Sequence, residues 1–91
     1  MDAEMDQTRL PSEADAVVEA AVLQQLLFLH PVQLSLEELL RELAGGEEDF
    51  DERDAAERAV RGLTAAGLLH RSGELLAPSR AALRFDELLG G

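Results

Sequence analysis

The segment spanning residues 13–29, EADAVVEAAVLQQLLFL, constrains the fold more than any other part of this chain. It contains no proline and no glycine, and its composition favours helix. On a helical wheel it lacks a clean polar face. Val17, Ala21 and Phe28 share one side, Val18, Val22 and Leu29 a second, and Ala16, Ala20, Leu23 and Leu27 a third. Only Asp15, Glu19 and His30 form a narrow polar strip, with Gln24 and Gln25 scattered. A helix that is apolar nearly all round must be covered on most sides. A chain of 91 residues makes one domain with a modest core and has little material to cover it. The expectation is a central helix packed against the other three, with one side open to a second chain.

Residues 1–11 read as a polar tail ending at Pro11, and residues 12–91 as one domain. Ser12 has Asp15 three residues on, a capping-box spacing. His30-Pro31 ends the first helix, because a residue before proline disfavours the helical region. Val32-Gln33-Leu34 follows as an extended connector. Ser35 and Glu38 then form a full capping box, with Leu34 and Leu39 at the two positions of a hydrophobic staple. Leu36, Leu39, Leu40 and Leu43 keep helical spacing, while Glu37, Glu38, Arg41 and Glu42 face water. Gly45-Gly46 stops this helix, and an acidic loop follows at Glu47-Glu48-Asp49.

Asp51 is placed to cap a third helix, with Phe50 as its staple toward Ala55. Ala56, Ala59, Val60 and Leu63 form the buried stripe of that helix, and Gly67 ends it. Residues 68–71 and 74–77 read as two short strands joined by Ser72-Gly73. That register sets Arg71 opposite Glu74 and Leu69 opposite Leu76. Pro78-Ser79 opens a last helix with Ala81, Ala82, Phe85, Leu88 and Leu89 on one face.

This order is helix, extended link, helix, loop, helix, two-stranded hairpin, helix. From residue 12 to 89 it resembles the winged helix-turn-helix family, of the small bacterial regulator type. The resemblance is carried by Ala59-Val60-Arg61-Gly62-Leu63-Thr64-Ala65-Ala66-Gly67-Leu68-Leu69-His70-Arg71, which looks like a recognition helix running into the first wing strand. Pro78-Ser79-Arg80-Ala81-Ala82-Leu83 looks like the return from the wing into a closing helix. The resemblance implies a mostly helical α+β fold with three core helices, a two-stranded wing and a C-terminal helix. It also implies a non-enzymatic regulator that binds double-stranded DNA in transcriptional control. Arg58, Arg61, Arg71 and Arg80 would be its nucleic-acid contacts. Dimerisation through the first helix would use Val18, Val22, Phe28 and Phe85.

Charge bears on both that reading and its alternative. The net charge is −11. Residues 1–50 carry two arginines and twelve acids, whereas residues 58–84 carry five arginines and one acid. A local basic face can bind phosphate on an acidic protein, with weaker long-range steering. Yet Asp51, Asp54 and Glu57 crowd the leading end of the presumed recognition helix, where they would oppose phosphate. The alternative is therefore an acidic winged-helix module that binds a protein through its first half and leaves DNA alone.

Other chemistries find little support. Hydrophobic residues make up 46% of the chain, too many for a disordered one. Cysteine is absent, so there is no thiol nucleophile or thiolate metal site. Every basic residue apart from histidine is arginine, which removes lysine chemistry. His30 and His70 stand apart in sequence, in no ligand-spaced cluster. Residues 47–54 lack the glycine and oxygen spacing of a calcium loop. Residues 62–67 have the glycine spacing of a phosphate loop but are followed by Leu68-Leu69 instead of lysine and serine or threonine. Ser12, Ser35, Ser72 and Ser79 are accounted for by caps or a turn. No cofactor, metal or catalytic group is expected. The acidic start is unlike a signal peptide, and the apolar run Leu26 to Leu29 is too short for a membrane, so the expected location is the cytoplasm.

Overall fold

A computed structural model describes residues 13–44 and 50–91. Helix α1 (Glu13–Leu29) leads through a short connector into strand β1 (Leu34–Ser35) and helix α2 (Leu36–Ala44). Helix α3 (Phe50–Ala65) follows, then strands β2 (Leu69–Ser72) and β3 (Leu75–Pro78), and helix α4 (Arg80–Leu88). The architecture is a mostly helical α+β fold with a small antiparallel sheet. The polar tail, the Ser12 cap, the Gly45-Gly46 stop and the acidic loop lie outside the described residues, as does the side chain of Phe50.

Local chemistry sets most boundaries. The capping box at α2 is made in both directions: Ser35 N donates to Glu38 Oε1 at 2.9 Å, and Glu38 N donates to Ser35 Oγ at 3.2 Å. Two backbone donors at the helix start are thereby satisfied. The staple residues Leu34 and Leu39 are both buried in the core. At the far end of α3, Gly67 has a φ of +83°, the left-handed conformation of a helix stop. Leu68 N donates to Leu63 O at 2.9 Å and Gly67 N to Thr64 O at 3.0 Å, the paired bonds of a Schellman motif.

The core is one cluster. Val22 and Leu26 of α1 meet Leu39 of α2 and Ala59, Val60 and Leu63 of α3, with Leu34, Leu69 and Leu76 closing it from the sheet. Ala56 is buried as well, so the whole expected stripe of α3 faces inward. Each fully buried leucine contributes roughly 1.5–3 kcal/mol relative to exposure.

Four expectations need correction. The sheet has three strands in the order β1–β3–β2, because Leu34–Ser35 pairs with Leu75–Leu76. That pairing joins residues some forty positions apart, which local spacing does not reveal. The hairpin register also differs: Leu69 pairs with Pro78 and Arg71 with Leu76. Gly73 has a φ of +62°, so it takes the first loop position of a Gly-X turn and Glu74 the second. Glu74 is therefore in the turn and not opposite Arg71, whose Nε donates instead to Gly73 O at 3.3 Å. Third, α3 already includes Phe50, so Asp51 lies in its first turn and is not its cap. Last, of the expected stripe on α4 only Ala82 is buried, while Phe85, Leu88 and Leu89 are exposed.

Candidate functional site

The four arginines assigned to nucleic acid do not share one face. Helix α3 crosses α1, and Arg58 turns back toward it: its Nη2 donates to Asp15 Oδ1 at 3.1 Å. Both side chains keep part of their exposure, so the pair adds at most about 1 kcal/mol. Its geometric effect is larger, because it holds the guanidinium against the protein. Arg61 and Arg71 come together across a cleft of about 310 Å³, with Leu36, Val60, Leu76 and Glu57 around them. Arg80 lies elsewhere, at the start of α4, on a cleft lined by His30, Gln33 and His70.

The leading end of α3 is acidic in space as well as in sequence. Asp51, Glu52 and Asp54 are all exposed there. The one arginine among them is already engaged. Arg53 Nη2 lies 2.8 Å from Glu37 Oε2 on α2, and its Nε lies 3.7 Å from Glu57. The hydrogen bond from Arg53, then its charge, holds the Glu37 carboxyl below the ordinary glutamate range.

The residues assigned to a dimer divide in two. Val22 is fully buried and Val18 packs against the core, so Val22 cannot touch a second chain. The reason is helical phase: Val22 and Leu26 lie one turn apart on the inward side. Phe28 and Phe85 are exposed, at 82% and 62%. Around Phe28 the outward side of α1 also presents Val17, 67% exposed, together with Ala16 and Ala20.

Two apolar clefts flank that outward side. One, of about 220 Å³, lies toward α2 and α3 and is lined by Val17, Val18, Ala21, Leu40 and Leu43, with the acid Glu52 among its walls. The other, of about 470 Å³, lies toward α4 and is lined by Ala20, Leu23, Leu27, Phe85 and Leu89, with the polar Gln24 and Asp86 among them. The surface therefore runs from α4 over α1 toward α2. Sequence reasoning missed Val17, Leu27 and Leu89 as parts of it, although the missing polar face of α1 was the available signal.

The two histidines, forty residues apart, line the same cleft as Arg80. No local motif announces this placement, which depends on the pairing of both β1 and β2 with β3. Among the described residues no group of three or more metal-ligating side chains occurs, and no helix is long and apolar enough to cross a membrane. Comparison of the chain with protein-family models, curated proteins and solved structures returns no match.

Proposed function

We propose that this chain is a small non-enzymatic winged-helix module that binds a protein segment along the outward side of α1. The winged-helix reading is supported by the element order, which is the order that the sequence resemblance implies. The observation that carries the interaction reading is the exposure of Phe28 and Val17 on α1, the helix that also lines two apolar clefts. Contiguous apolar surface of this kind marks an interaction site more often than it marks a solvated face. The acid Asp86 beside the larger cleft and a net charge of −11 favour a basic partner. An amphipathic helix with basic flanks meets these requirements.

The probe for this proposal is a synthetic amphipathic helix with leucine on one face and lysine on the other, titrated into the isotopically labelled protein. Amide signals of Val17, Phe28 and Phe85 should move together, and Phe28→Ser should weaken binding about tenfold or more. Binding that leaves those signals unmoved overturns the proposal. A dimer by light scattering, lost in Phe28→Ser, would make a second copy the occupant in place of a basic partner.

DNA binding is the second reading. It is favoured by Arg61 and Arg71 flanking one cleft, and opposed by the Arg58–Asp15 pair and the acidic start of α3. Duplex retention at low salt, falling steeply with added salt and weakened by Arg61→Ala, would establish it in place of the first.

A further inference from the structure

The outer face of the sheet carries a cleft that the α1 surface does not use, and strand register explains how it forms. His70 pairs with Ala77, and Leu34 pairs with Leu76. Carrying the β1–β3 register one residue back sets Gln33 beside Ala77. Gln33, Ala77 and His70 then form a row across the sheet, with the methyl of Ala77 as a floor between two longer polar side chains. His30 enters from the connector after α1, and Arg80 from the first turn of α4. The resulting cleft has a volume of about 420 Å³.

Among the described residues Arg53, Arg58 and Arg84 each pair with a carboxylate, whereas Arg41, Arg61, Arg71 and Arg80 do not. No acid lines this cleft, and the side chains of His30, His70 and Arg80 have no hydrogen-bond or ion-pair partner among the described residues. They set one guanidinium and two imidazoles around a single cleft with no carboxylate competing for their donors.

We propose that this cleft binds a single phosphate group, free or as a small monoester, between Arg80, His30 and His70. The Arg80 guanidinium offers a planar fork of donors suited to phosphate oxygens. Each imidazole offers a ring N–H donor, and the Gln33 amide adds another. The several oxygens of one phosphate can accept from more of these donors at once than a carboxylate can. Duplex DNA would bring further phosphates against the acidic remainder of the surface, so a compact ligand is favoured.

The test titrates inorganic phosphate and O-phosphoserine into the whole protein at constant ionic strength, with chloride as reference. The imidazole carbon–proton signals of His30 and His70 are followed by NMR. Both should shift and saturate together with phosphate and not with chloride. Arg80→Ala should weaken binding about tenfold or more, while circular dichroism and the melting temperature stay unchanged. The ester saturating at lower concentration identifies a monoester ligand, and equal or weaker binding of the ester identifies the free ion. Shifts that match chloride, or binding undiminished in Arg80→Ala, overturn the proposal. So does tighter binding of a duplex oligonucleotide through the same histidine signals.

Discussion

Helices α1 and α2 pack side by side and bury their apolar residues in the same core, yet they are built on opposite plans. On α2 the leucines Leu39 and Leu40 point inward and the outer side is Glu37, Glu38, Arg41 and Glu42. On α1 the inward residues are Val22 and Leu26, but Val17 and Phe28 point outward as well. The polar back of α2 needs nothing beyond water. The apolar back of α1 keeps the cost of hydrating exposed hydrocarbon, which a partner would relieve. Burial within the chain therefore accounts for Leu39 and Leu40 of α2, with Leu36 packed beside them, and leaves Val17 and Phe28 of α1 in water.

Substitutions can break or sharpen this contrast. The largest effect is expected in the shared core: Leu26→Ala and Leu39→Ala should each lower unfolding free energy by about 2–5 kcal/mol in urea titrations. Equal losses from the two helices would show that their inward sides are equivalent. Ser35→Ala removes the acceptor of the α2 cap and should cost about 1 kcal/mol by the same measurement. Arg58→Ala should cost less, up to about 1 kcal/mol, and the difference should shrink in high salt.

Phe28→Ser separates folding from binding. Its stability effect should stay within about 0.5 kcal/mol, because the ring is already in water. A loss as large as that of Leu26→Ala would place Phe28 in the fold and erase the contrast. The smallest effect concerns pH. The Glu37 carboxyl titrates lower when folded, since Arg53 bonds to its charged form. Its contribution is present above the unfolded glutamate range and is lost as pH falls through the folded value. Glu37→Gln should therefore lower stability slightly at neutral pH and converge with the parent in acid, which flattens the acid limb of a stability–pH curve.

Much of this molecule was legible wherever the signal was local. The bounds of α1, the capping box at Ser35, the buried stripe of α3 and the Gly67 stop all follow from residues a few positions apart. Features that depend on distant pairing were not legible. Strand β1 exists because Leu34 finds Leu76, and the histidines line one cleft because β1 and β2 both pair with β3. The hairpin register failed on one residue, where Gly73 takes the first turn position in place of Ser72. Arginine direction was the other gap. Spacing put Arg58 and Arg61 on the same helix, but whether a guanidinium reaches outward depends on which acid lies within its reach. For Arg58 that acid is Asp15, on another helix.

Ser79 has a consequence beyond its role as a cap. Its Oγ donates to Gly67 O at 2.6 Å and accepts from Ala82 N at 3.1 Å, while its backbone N donates to Leu68 O at 2.9 Å. The end of α3, the base of the hairpin and the start of α4 are thus fastened at a single residue. Helix α4 buries only Ala82, so packing alone holds it weakly and this joint sets its tilt. Arg80 lies on one side of the joint, facing the histidine cleft, and Phe85 lies on the other, facing the apolar cleft beside α1. One hydroxyl thus fixes the helix that supplies a wall to both clefts, so the two share a single anchor.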